Sequence, residues 1–396
     1  MERYSFKKII LKDRILLLFF VFLLVNSLSY ATAIRYNTTL IPVRIALLVI
    51  LLWVLFLDRL KFQDIEKINN KYLAAFIFFY TCSLLANVSF SDPSFYFSIV
   101  IAVIVISFFI DYLYRHYFSY SDKILLDIIF FSLLFFPFIL MLTPWNIRLN
   151  LYGSESIEAL GLKSRYLGWS CAVIYGILLY RFKQRKPLWW EIMFSFILLF
   201  FIVISGSRSS LLSVGIATIL YLLLLKEKVL FLIIGAVSIS IILILFSSQI
   251  ARYSENVSFQ KREEAKEEGV SVRTYRENLL NDAVKMSLNN VGGFLFGFGP
   301  GQFKETLSKN IEEYRFNELS SHNTYLEVFI TSGILSFIAF LLLYLILPLK
   351  NFYSKNKELL YVFIPIILIA ATEDNFGLGQ FLYVIFSLVA FYSFKL

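Results

Sequence analysis

Apolar residues in this chain come in long, nearly uninterrupted runs separated by short polar connections. Arg14 to Ile34 and Val229 to Ile250 are each about 20 residues with almost no charge, the length an α-helix needs to cross a hydrocarbon layer of about 30 Å. Helices, not barrel strands, are the unit. The pattern predicts about twelve spans, over residues 14–34, 38–57, 72–91, 94–114, 124–143, 166–181, 189–206, 209–225, 229–249, 323–349, 359–372 and 377–394. The expected fold is all-α, a polytopic membrane protein forming one integral domain. In it, residues 1–249 carry the first nine helices, 250–322 form a long outward loop and 323–396 carry the last three.

The polar connections orient these spans. If the spans alternate, Lys and Arg collect on one side, which is then the cytoplasm. That side holds the N-terminus, Asp58 to Lys71, the turn around Arg115 and Lys123, the cluster Arg181, Lys183, Arg185 and Lys186, the pair Lys226 and Lys228, Lys350, Lys355, Lys357 and Lys395. Both termini are expected there. The opposite connections are short and poor in Lys and Arg, with two exceptions that face outward, Pro144 to Arg165 and Ala251 to His322. The second is too long for a structureless linker. It holds a charged helical pattern from Lys261 to Glu268, then a segment in which Leu279, Leu280, Ala283, Val284 and Met286 form an apolar face suited to the membrane surface. A tight turn follows, Gly297-Phe298-Gly299-Pro300-Gly301.

Composition agrees with this picture. The chain has 396 residues, of which 59% are hydrophobic and 16% charged, with a mean hydropathy of +0.73; soluble domains are about a quarter charged. Lys7, Lys8, Lys12 and Arg14 ahead of the first run resemble a signal peptide, but no small-residue cleavage site follows and many further spans do. The net charge of +9 is spread over connections rather than gathered on one face, which argues against nucleic acid as a partner. Cys82 and Cys171 fall within apolar runs and read as packing residues.

Few residues remain that could carry chemistry. Arg208, in Ser205-Gly206-Ser207-Arg208-Ser209-Ser210, sits at an outward junction between spans. Its guanidinium either snorkels to the lipid headgroups or reaches a polar cavity, and Ser207, Ser209 and Ser210 favour a cavity able to hold a phosphate. Arg273 and Arg276 stand at helical spacing ahead of the amphipathic segment, where paired arginines are most often solvated. His322, in Ser321-His322-Asn323-Thr324, precedes an apolar run. The positive end of a helix keeps such an imidazole neutral and basic, though a polar residue satisfied by nearby backbone reads equally well. The second histidine, His116, lies in a cytoplasmic turn and is incidental.

Glu327, Glu373, Asp374 and Arg44 are costly charges within or beside apolar runs, and each needs either a function or a partner. The glycine turn is not a dinucleotide fingerprint, because Pro300 interrupts it and no βαβ unit surrounds it; Gly299 belongs to a rigid bend instead. One outward histidine with scattered acids assembles no metal ligand set, so neither a metal nor another cofactor is expected.

Taken together, Ser207-Arg208-Ser209-Ser210-Leu211-Leu212, a loop arginine ahead of an amphipathic helix, Gly297 to Phe303, and His322-Asn323-Thr324-Tyr325-Leu326-Glu327 with Gly333 resemble the O-antigen polymerase and ligase superfamily of bacterial surface-polysaccharide enzymes. The specific motifs lie between about residues 200 and 335. Arg208 and His322 match the family's arginine and His-Asn motifs, and Arg273 matches its loop arginine. Glu277 and Asn278 stand where the family often has an aromatic residue, which keeps Arg276 as a rival.

The resemblance implies a metal-independent glycosyltransferase of the bacterial inner membrane with its active site facing the periplasm. Its donor would be a glycan on undecaprenyl diphosphate, its acceptor a glycan or lipid A-core, with membrane lipids around it. For a polymerase, a chain-length regulator would be a further partner, on which the sequence is silent. Arg208 and Arg273 would neutralise the diphosphate and His322 would act on the acceptor hydroxyl. Arg276, Ser207, Asn323 and Arg44 would contact substrate, while Glu327, Asp374 and Gly299 would orient the site. The glycine-rich turn favours a repeat-unit polymerase, with the ligase as runner-up. A transporter or flippase fits the span number but not the absence of two-half symmetry or the long outward loop. A non-catalytic assembly scaffold would tolerate loss of His322 and Arg208.

Overall fold

The computed structural model describes residues 21, 50, 71–87, 125–134, 164–204, 207–224, 272–299, 323–372 and 381–394. Among them the secondary structure is helical and there is no strand. In chain order the helices are α1 (Lys71–Ala86), α2 (Leu125–Leu134), α3 (Ser164–Gln184), α4 (Trp189–Ile204), α5 (Arg208–Leu224), α6 (Val272–Asn289), α7 (Val291–Phe296), α8 (Thr324–Lys355), α9 (Leu360–Thr372) and α10 (Phe381–Tyr392). Helices α1, α3, α4, α5, α8, α9 and α10 fall on expected spans, and α2 on the first part of another. The expected spans 14–34, 38–57, 94–114 and 229–249 lie outside the described residues, apart from the helical Val21 and Ile50. One described helix, Thr324–Lys355, is long and apolar enough to cross a membrane by itself; α2, α4, α5 and α10 contribute shorter apolar helices.

The bundle is closed by aromatic packing. Tyr344 is fully buried among the rings of Phe76, Phe340, Phe386 and Phe391. Its hydroxyl donates to Tyr383 Oη at 3.0 Å and meets Ser387 Oγ at 3.1 Å, so these three hydroxyls are paired with one another. Helices α3, α5 and α9 pack closely, because Gly176 of α3 lies against the Tyr361 carbonyl with no room for a Cβ. Tyr175 Oη meets Thr218 Oγ1 at 3.2 Å between α3 and α5. Large apolar side chains also face outward, among them Phe78, Leu85, Phe196, Leu212 and Leu223, as befits helices whose outer surface meets hydrocarbon.

One end of the bundle is held by charge. Arg181 at the end of α3 pairs with Asp127 of α2 at 2.7 Å and lies over the Phe130 ring. Arg185 pairs at 2.6 Å with Glu191 in the first turn of α4, a carboxylate with no exposed surface that also accepts from the Leu188 N–H. Lys183 Nζ donates to the Leu224 carbonyl at the end of α5, and Gln184 to Glu358 just before α9. The start of α2, the end of α3, the start of α4, the end of α5 and the start of α9 therefore share this basic end. It is the end that the Lys and Arg pattern assigns to the cytoplasm.

In one respect the structure differs from the reading of residues 323–349 as a plain crossing. Gly333, inside α8, has φ 78° and ψ 174°, a conformation reached almost only by glycine, and it breaks the helix. The Tyr325 and Phe340 rings lie 5.9 Å apart, although a straight helix would separate their Cα atoms by about 22 Å. The first half of α8 thus folds back alongside the second. The part after the break is then locally underwound by a π-helical stretch at Leu342–Ile346 before Pro348.

Candidate functional site

The folded-back half of α8 begins with a polar cap. Asn323 is extended, with φ −158°, and its Oδ1 accepts the Leu326 N–H at 3.1 Å while its carbonyl accepts from Glu327 at 3.0 Å. This satisfies part of the unpaired N-terminal turn. Thr324 and Val328 are buried, Glu327 is half-buried, and the Glu327 carbonyl accepts from Thr331 Oγ1 at 2.7 Å. His322 immediately precedes the cap and lies outside the described residues, as do Arg44 and Asp374.

The break at Gly333 places this cap inside the bundle. Tyr325 Oη donates to the carbonyl of Ile367, midway along α9, at 3.5 Å. Helix α9 runs antiparallel to α5, with Tyr361 against Tyr221, so Ile367 is level with about residue 215 of α5, some two turns from Arg208. Helices α8 and α5 thus both pack on α9, with Tyr325 at its middle and the start of α5 beyond that level, away from the basic end.

At the start of α5, four serines cluster. Ser207 Oγ lies 2.7 Å from Ser210 Oγ and 3.2 Å from Ser209 Oγ, and it accepts the Ser210 N–H at 3.4 Å, while Ser213 donates to the Ser209 carbonyl. All four are buried. Ser207 thereby caps the helix whose first residue is Arg208.

Helix α6 carries Arg273 and Arg276 in its first turns, three positions apart and so on one face. Its later part buries Ala283 and Ser287. Asn290 then caps the short α7, accepting from Gly293 at 3.0 Å. The turn that follows enters the elbow of α8. The Phe298 and Gly299 N–H groups donate to the carbonyls of Ile330 and Thr331 at 3.0 and 2.9 Å, the carbonyls a regular helix would give to residues 334 and 335. Gly297 at φ 73° and Gly299 at φ 107° make this turn possible. A Cβ on Gly297 would strike Thr331, and one on Gly333 would strike the Leu295 carbonyl. Gly299 is therefore part of a lock on the broken helix.

The structure packs α5 and α8 each against α9 and sets the α6–α7 segment against the elbow of α8. Sequence reasoning missed Ser83 of α1 and Asn87 just after it, whose side chains bond to this turn. Two polar positions one helical turn apart at the end of an apolar run were the available signal.

The fold is that of an α-helical membrane protein in which the start of α5 and the cap of α8 lie away from the basic end. Residues 193–341, which contain α5, α6, α7 and the folded-back half of α8, match the family model described as O-antigen ligase. The match supports the O-antigen polymerase and ligase superfamily as the family of this chain, in agreement with the sequence motifs. No curated protein matches it in sequence.

Proposed function

We propose that the protein is a glycosyltransferase of the bacterial inner membrane that moves a glycan from undecaprenyl diphosphate to an acceptor hydroxyl at the periplasmic face. About twelve spans carry it, with both termini in the cytoplasm. The observation that supports this reading most strongly is that the start of α5 and the Asn323 cap of α8 both lie away from the basic end, within the stretch that matches the family.

In the proposed reaction the acceptor oxygen attacks the anomeric carbon, the bond from that carbon to the phosphate oxygen breaks, and undecaprenyl diphosphate leaves. His322 takes the acceptor proton, and attack opposite the leaving group inverts the anomeric centre. The diphosphate is already a good leaving group, so it needs charge neutralisation more than a general acid. Arg208 and Arg273 provide it, with Arg276 the rival to Arg273 and Arg44 a further substrate contact. Asn323 and Ser207 cap the two helices that carry these groups, and Glu327, Asp374 and Gly299 support them. No metal or nucleotide enters the scheme.

Transfer onto a growing repeat-unit glycan is the favoured reaction, on the form of the glycine turn and the His-Asn motif. Transfer onto lipid A-core is the alternative, and a chain-length regulator would accompany only the former. A deletion strain distinguishes them: loss of a polymerase leaves a single repeat on core, whereas loss of a ligase leaves bare core.

With purified protein and a defined lipid-diphosphate donor, His322→Ala and Arg208→Ala should each lower transfer by about 10²-fold or more while the protein still inserts and folds. Arg208→Lys should recover only part, because an ammonium cannot form the paired bonds of a guanidinium. Full turnover in either alanine variant would exclude the mechanism.

A further inference from the structure

The elbow of α8 is held from a third side. Ser83, fully buried near the end of α1, directs its hydroxyl at the carbonyls of Phe296 and, at 3.3 Å, of Thr331. One turn later, Asn87 Nδ2 donates to the Gly297 carbonyl at 3.2 Å and to the Ser83 carbonyl at 2.8 Å, with the Phe296 carbonyl at 3.5 Å. The two side chains grip both parts of the lock at once: the turn through Phe296 and Gly297, and the broken helix through Thr331. The turn in turn supplies the Phe298 and Gly299 N–H groups to α8. Gly297 and Thr331 are buried, so loss of a donor to their carbonyls is felt by the arrangement of the elbow itself.

We propose that Ser83 and Asn87 are positioning residues for the transfer reaction. By fixing the turn against the break at Gly333 they set the angle of the folded-back half of α8, and hence the place of Asn323 and of His322 just before it. Neither touches substrate; both act through α8 and the turn. This inference rests on the transferase reading above.

The test uses full-length protein in lipid nanodiscs, with amide hydrogen exchange and transfer kinetics measured side by side. Ser83→Ala removes the hydroxyl, and Asn87→Asp replaces the donor by an acceptor of nearly the same shape. Each should speed exchange at Phe298 and Gly299 and leave α3 and α9 unchanged, which also reports intact folding. Each should lower kcat on the order of tenfold to a hundredfold while KM for the donor stays within about twofold, the signature of misplaced reacting groups rather than lost binding. Ser83→Thr, which keeps the hydroxyl, should restore kcat. Faster exchange at the turn with wild-type kcat would overturn the positioning role and leave the transferase reading standing. Unchanged exchange in both variants would show that they do not hold the elbow, and would overturn it too. Absence of transfer by the unsubstituted protein with every lipid-diphosphate donor would remove the transferase reading and this proposal with it.

Discussion

Gly333 and Gly297 occupy backbone conformations that only glycine adopts readily, and each faces the other's segment at a distance that leaves no space for a Cβ. Gly333→Ala therefore carries about 1–3 kcal/mol of backbone strain alone, with the collision against Leu295 added to it. The expected outcome is a lower melting temperature in detergent together with loss of transfer, since the elbow cannot form. Gly215, in α5, is the control: a Cβ there meets nothing within 4 Å. Gly215→Ala should be neutral or stabilising by up to about 1 kcal/mol through helix propensity. Similar melting shifts in the two variants would contradict the role given to the break. The contrast lies in chain geometry, because both glycines sit within apolar runs and only the fold shows which one has a positive φ.

At the scale of elements, the helices themselves were legible because a membrane span is a property of a local run, and the runs around α3, α4, α5 and α9 end within a few residues of the helices observed. The start of α8 was legible for the same reason: Asn323 is a polar residue directly ahead of an apolar run, and it caps the helix. What was not legible depends on partners far along the chain. The elbow at Gly333 exists because the turn at Gly297 supplies donors to it, and Asn87 meets that turn from 210 residues away. The basic cluster at the end of α3 was read only as a topological signal, yet Arg181 and Arg185 converge on Glu191, which is buried at the start of α4. There the carboxylate also complements the helix N-terminus. Glu191→Ala should cost about 1–3 kcal/mol, less than for a wholly buried pair because Arg185 is half exposed. Thermal unfolding in detergent measures this, and the residual transfer per folded molecule should be unchanged, since the cluster lies at the end of the bundle remote from Arg208 and Asn323. A loss of kcat without loss of stability would tie this end to the chemistry after all.

For the whole molecule, everything turns on which end faces out. The end where α3, α5 and α9 meet is rich in Lys and Arg, and beside Lys186 the exposed Trp189 and Trp190 form the aromatic fringe typical of a membrane interface. The elbow, the α5 serines and the α7 cap lie away from it. A lipid-diphosphate donor assembled for export presents its glycan on the periplasmic side, so the proposed chemistry requires the elbow there. Single cysteines at exposed positions test this directly: Asn290→Cys at the α7 cap, and Lys186→Cys and Lys355→Cys at the basic end. The native Cys171 is buried and Cys82 is half-buried, so the unsubstituted protein sets the background. In cells whose outer envelope admits the reagent, a membrane-impermeant maleimide should label the Asn290 variant, and should label the two lysine variants only after lysis. The opposite pattern would put the Arg208 helix start and the Asn323 cap on the cytoplasmic side, where a periplasmic transferase cannot work. Labelling of all three in intact cells would mean that the two ends are not separated by a membrane at all.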